Sequence, residues 1–120
     1  MDKKYHYPNP FEPDSTTQVR IRKGQYTRGG IAVQLTEEVN DPECPYEQPF
    51  ATLTVRLPET GLLPNPDTDA FIDTNNNPEA GRFLKENGLA TPIGITATSG
   101  MCRYPAYRFS KEVLESPDII

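Results

Sequence analysis

Between Gln18 and Leu57 the apolar residues of this chain fall on every second position in three separate stretches, and that period constrains the fold most strongly. Val19 and Ile21 alternate with Gln18, Arg20 and Arg22, while Ile31, Val33 and Leu35 alternate with Ala32, Gln34 and Thr36. Successive side chains of a strand point to opposite faces, so such alternation marks strands with one face buried. Phe50 to Leu57 is the most strand-like stretch. Ala51, Leu53, Val55 and Leu57 are expected on one side of it, and Thr52, Thr54 and Arg56 on the other. Lys23-Gly24 and Arg28-Gly29-Gly30 read as turns, which makes the first two strands an antiparallel pair.

Further along, Ala70-Phe71-Ile72 reads as a short strand that Asn75-Asn76-Asn77 stops. Asn77-Pro78-Glu79 has the order of a helix start: a capping side chain, a proline at the first helical position, and an acid at the positive dipole end. Ala80, Phe83, Leu84 and Asn87 recur at helical spacing and Gly88 stands just past the end, so the principal helix is expected over about 78–87. Ile93, Ile95 and Ala97 form a strand after Pro92. Ser99-Gly100 turns it into another, Cys102 to Phe109, and Ser110 caps a short helix over 111–115 that Pro117 ends. This order predicts an α+β fold, a small mainly antiparallel sheet with the principal helix packed on it. The chain has 120 residues, the size of one domain. Residues 1–17, with Pro8, Pro10 and Pro13, read as an extended arm that Tyr5, Tyr7 and Phe11 can pack onto the body. The domain proper is expected over 18–116, with 117–120 as a tail.

Several activities are excluded by residue type. Twelve bases against 17 acids give a net charge of −5, so direct nucleic-acid binding is not expected. No apolar run approaches the roughly 20 residues of a membrane span and no apolar core follows the first lysines, so a soluble cytoplasmic protein is expected. Cys44, Cys102 and His6 are three thiol or imidazole groups at unrelated spacings, one short of the usual zinc set. Neither a metal nor another cofactor is expected. Asp73-Thr74-Asn75-Asn76-Asn77 resembles the opening of a calcium loop. Its sixth and twelfth positions are Pro78 and Leu84, where the loop needs Gly and Glu, so it reads as an Asx-rich turn before the helix. No phosphate loop, nucleophile elbow or paired-histidine metal motif is present. With one His and no triad, no catalytic residue is assigned and a non-enzyme is expected.

Charge placement says more. Between Gly29 and Gly81 there are ten acids and one base, Arg56, so this segment carries −9 and the remainder +4. The Pro-punctuated connection from Glu37 to Gln48 is the richest part. Glu37, Glu38, Asp41, Glu43 and Glu47, with Asp67 and Asp69 from the next loop, are the candidate binding residues for a protein partner with a basic surface. The plainer reading is that these carboxylates are scattered and only solvate their loops. A reading of another class is a small regulatory or structural domain, monomer or weak dimer, that binds a peptide or itself through a sheet edge.

The run Ala51-Thr-Leu-Thr-Val-Arg-Leu-Pro58, the run Ala70-Phe-Ile-Asp-Thr-Asn-Asn-Asn-Pro78, Phe83-Leu84 and Glu86-Asn87-Gly88-Leu89-Ala90 occur together here, as do Ser99-Gly100, Cys102, Tyr104-Pro105 and Tyr107-Arg108-Phe109. As a set they resemble an uncharacterised domain-of-unknown-function family of small proteins from plasmids, integrative elements and phages of gut Firmicutes and their relatives, over roughly residues 18–115. The resemblance implies an accessory gene of mobile DNA, a class that includes inhibitors of host defence such as anti-CRISPR proteins. It transfers no catalytic or binding residue.

Overall fold

The structure, a computed structural model, describes residues 3–9 and 11–119, with Pro13 described by its backbone alone. Two four-stranded antiparallel sheets make up the fold. The first runs in the order β1 (Lys4–Asn9), β2 (Glu12–Gln25), β3 (Ile31–Val39), β4 (Tyr46–Thr52). The second contains β5 (Thr54–Val55), β6 (Asp69–Ile72), β7 (Ala90–Ser99) and β8 (Cys102–Phe109), in the order β5-β6-β8-β7. Strand makes up 52% of the residues and helix 14%, so the expected antiparallel architecture holds but is richer in strand than the sequence suggested, with two sheets in place of one.

The alternation read from the sequence is what closes the core. Tyr5, Tyr7, Val19, Ile21, Ile31, Val33 and Leu35 line the inner face of the first sheet and pack with Ala70, Ile72, Ala90, Tyr107 and Phe109 of the second. The stretch from Phe50 to Leu57 is not one strand. It bends at Leu53, whose N–H donates to the Val33 carbonyl at 2.9 Å while its own carbonyl accepts from the Asp73 N–H at 2.8 Å. Leu53 therefore links the two sheets, a corner of the kind that sheet-to-sheet packing requires. The expected common face splits as a result: Ala51 and Leu53 belong to the main core, Val55 and Leu57 to a second, smaller one with Leu63, Phe71, Ala97 and Ala106.

The helix α1 (Ala80–Glu86) is seven residues long, shorter than the 78–87 expected. Asn77 does not cap it with its side chain; its amide donates to the Thr52 carbonyl at 2.9 Å, and Glu79 stands at the N-cap. Asp73 folds the preceding segment by accepting from Asn76, so the Asx-rich turn consumes residues that were expected to begin the helix. Gly88, at φ 64°, ends it in a Schellman arrangement: Leu89 N–H donates to Leu84 and Gly88 N–H to Lys85. Ala80, Phe83 and Leu84 are fully buried, as their spacing requires. The second helix, α2 (Lys111–Leu114), is a single turn that buries Val113.

Two terminal segments differ from the expected arm and tail. Lys4–Asn9 and Glu12–Thr17 are extended, but as a hairpin continuous with the first sheet, with Tyr5 opposite Val19 and Tyr7 opposite Thr17. Tyr5 and Tyr7 are buried and Phe11 is exposed. Lys23-Gly24 is no turn: both residues pair in β2 with Val33 and Ala32, and the reversal falls at Tyr26 to Gly30. Beyond β1 the outer edge of β2 is covered by the C-terminal segment. Lys23 N–H donates to Pro117, Ile119 N–H donates to Lys23, and Ile119 lies against Gly24.

Tyr7 carries a prediction of its own. Its ring packs on Phe83 and Phe50 at centroid distances of 5.0 and 5.6 Å, and its hydroxyl has no hydrogen-bond partner among the described residues. Burial, with the charge of Glu79, pushes its pKa up from 10.0 to about 12. A buried unpaired hydroxyl costs about 1–3 kcal/mol, so Tyr7→Phe is expected to stabilise the protein by about 1 kcal/mol at neutral pH. Because the folded pKa lies above the unfolded one, this tyrosine's contribution is complete below pH 10 and is lost between pH 10 and about 12. Urea melts at pH 8 and pH 11 check both points. A wild type and a Tyr7→Phe variant that lose stability equally over that range would refute the assignment.

Candidate binding surface

The acidic connection is mostly strand. β3 runs on to Val39 and β4 begins at Tyr46, so Glu37, Glu38 and Glu47 lie in the ladder and only Asp41 and Glu43 lie in the loop. Glu37 accepts from the Gln48 side chain directly across from it at 2.7 Å. Glu38 meets Arg20 at 3.2 Å and Lys4 at 3.3 Å, and Glu47 meets the buried Arg22 at 2.5 Å and accepts from the Thr36 hydroxyl. Part of the charge segregated along the sequence is thus paired in space: bases of β1 and β2 meet Glu38 and Glu47 of β3 and β4 across the outer face of the first sheet.

Asp69 is not a surface residue either. Its side chain is fully buried and sits opposite Arg108 in the β6–β8 ladder, with bidentate contacts of 2.8 and 3.0 Å. Thr68 and the Asn65 N–H also donate to it. Burial alone would raise its pKa, but Arg108, Thr68 and Asn65 together hold it below its usual 3.8. Asp67 is exposed in the adjoining loop, which is tied to the start of β3 by the Ile31 N–H and the Pro66 carbonyl. The hairpin acids are at the far end of β3, about eight residues or roughly 26 Å away. The structure therefore does not gather the seven candidate acids on one face. Asp41, Glu43 and Asp67 are the three that remain exposed without an ion pair among the described residues.

The other chemistry-bearing groups stay apart as well. Cys44 is exposed in the β3–β4 loop and Cys102 is half-buried at the start of β8; both are free thiols. His6 is on β1 beside Thr16. Among the described residues no group of three or more His, Cys, Asp or Glu is placed to hold a metal ion. The larger depression, about 620 Å³, is lined by Lys23, Ile31, Asp67, Thr68, Leu114 and Asp118, and its Lys23–Asp118 pair is closed at 2.6 Å. A second, about 330 Å³, contains Tyr5, whose hydroxyl donates to Glu112 at 2.5 Å.

What distinguishes one surface is the way sheet edges are treated. Exposed edges are normally protected by charges, prolines, bulges or extreme shortness. β1 carries Lys4 and Pro8; β4 carries Glu47, Pro49 and an irregularity opposite Leu35 and Thr36; β5 is two residues long; and the open part of β2 is covered by the C-terminal segment. β7 is protected in its first half by Pro92 and a break in register between Pro92 and Thr96. Its second half, Thr96 to Ser99, has none of these devices, and the whole of Ala90–Ser99 contains no charged residue in a chain that is 24% charged.

The pairing fixes which groups that edge presents. Ser99 lies opposite Cys102 across a two-residue turn, Gly100-Met101, with Gly100 at φ 60° as a type II′ turn needs. The alternation of antiparallel pairs then turns the N–H and C=O of Thr96 and Thr98 outward, away from β8. Ala97 is buried in the small core, whereas Thr96, Thr98 and Ser99 are exposed and Met101 is fully so. The sequence suggested a sheet edge as the alternative contact but no particular strand; the charge-free run from Ala90 to Ser99 is what marks this one.

A family model described as a domain of unknown function, DUF4313, matches residues 23–118. The chain belongs to that family. No curated protein and no solved structure matches it. Among the described residues no helix is long and apolar enough to cross a membrane.

Proposed function

We propose that this DUF4313 protein is a non-enzymatic binding module that takes an extended protein segment onto the free edge of β7. Main-chain hydrogen bonds supply the affinity in this mode of recognition. The observation that carries the reading is the unguarded stretch Thr96–Ser99 in a molecule whose other edges are defended. Self-neutralisation of Glu38, Glu47 and Asp69 argues against an acidic face as the contact surface. The mobile-element origin implied by the resemblance is part of the proposal, and it makes the partner a protein of the host or of the element.

Backbone amide mapping by NMR tests this with extended peptides selected from a random display library. Shifts are expected at Thr96, Thr98 and Ser99, and Thr98→Pro, which removes one outward donor, is expected to abolish them. Shifts confined to residues 40–45 would refute the reading. They would favour the exposed Asp41 and Glu43, in which case capture should also weaken steeply with salt.

A further inference from the structure

We infer that the strand seated on β7 is β7 of a second copy of this chain, paired antiparallel about a two-fold axis at Ala97. The inference rests on the β7 reading above and names its occupant. An isologous contact is self-complementary, and an axis at Ala97 sets the two exposed threonines that flank it, Thr96 and Thr98, against each other. Under that symmetry Thr96 faces the partner's Thr98, and the outward main-chain groups of both residues form four hydrogen bonds across the axis. Threonines directly opposed on neighbouring strands are a favourable pair.

Charge selects the same occupant. Pairing with its own copy doubles whatever charge an edge carries, as Lys4 would on β1 and Glu47 on β4. β7 brings none. The same register lays the fully exposed Met101 of each copy over the Ile93–Ile95 stretch of the other, where Ile95 is also exposed. That contact extends the small core of Leu57, Phe71 and Ala97, on which Ile93 packs, from one molecule into the next. The other side of the hairpin tip offers no such path, because Arg103 and Pro105 face it.

Sedimentation velocity of the full chain, from about 10 µM to about 1 mM, tests the contact in the range of weak interfaces. The wild type is expected to shift from monomer to dimer with concentration. Thr98→Pro should stay monomeric with an unchanged far-UV spectrum and melting temperature. Should the proline disturb the hairpin, Thr96→Lys with Thr98→Lys gives the second reading, since it opposes like charges across the axis and leaves the backbone intact. The inference is overturned by a wild type that is monomeric throughout, or by a dimer that survives the lysine pair. A monomer that nevertheless shows peptide shifts at Thr96 and Thr98 would overturn the second copy as occupant and leave the binding edge standing.

Discussion

Phe83→Ala is expected to cost about 3–5 kcal/mol, the usual range for emptying a fully buried aromatic site, out of a total stability of roughly 5–15 kcal/mol. Phe83 has no exposed surface. Its ring meets Tyr7 at 5.0 Å and Tyr5 edge-on at 6.3 Å, so one side chain of α1 closes the inner face of β1. Truncation would leave a void between helix and sheet that neither tyrosine can fill, since each is fixed in a strand. At roughly 3–6 °C per kcal/mol for a chain of this size, the melting temperature should fall by on the order of 10–30 °C. Leu62→Ala, at a leucine that is 83% exposed, is the control and should fall within about 0.5 kcal/mol of wild type. Equal melting temperatures for the two variants would show that Phe83 is not core.

The strands that bury one face were legible because local alternation and tertiary burial say the same thing there. Val19, Ile21, Ile31, Val33 and Leu35 point inward as their spacing demands. The single sheet was not, because alternation cannot report a change of sheet: Leu53 continues the pattern of Ala51 while the backbone turns a corner beneath it. The helix start was misplaced for a related reason. Asn77 has the chemistry of a cap, but the Thr52 carbonyl competes for its side chain and wins. The arm was read from its prolines, of which Pro10 lies outside the described residues; a proline restricts local conformation yet fits an edge strand, as Pro8 does in β1.

The seven candidate acids do not share one face: charge was counted along the chain, and part of it is paired across the sheets. Antiparallel pairing of β2 with β3 places Arg20 opposite Thr36 and Arg22 opposite Gln34, which brings both arginines within reach of Glu38 and Glu47. A −9 segment beside a positive one is therefore also the signature of two hairpins that pair.

Asp69 and Arg108 are expected to respond unequally to truncation. The pair is asymmetric: the carboxylate is fully buried and the guanidinium side chain is 50% exposed. Asp69→Ala leaves a cation that turns to water, and it also frees the Asn65 N–H and the Thr68 hydroxyl from their acceptor. Its expected cost is about 2–3 kcal/mol, below the roughly 3–5 kcal/mol of a pair buried on both sides. Arg108→Ala leaves the carboxylate buried without its partner and should destabilise more, although the residue removed is the more exposed of the two. Acid separates these cases. In the wild type the Asp69 pKa is lowered, so its stabilisation is complete above its ordinary 3.8 and is lost as pH falls through the folded-state value. In Arg108→Ala the same carboxylate titrates higher than in the wild type, because burial is then opposed only by Thr68 and Asn65, so protonation relieves that variant first. The gap between wild type and Arg108→Ala should therefore narrow steadily in urea melts from pH 7 to pH 3. A gap that is constant with pH, or an Asp69→Ala variant less stable than Arg108→Ala at pH 7, would mean that the pair does not hold β6 against β8 by its charge.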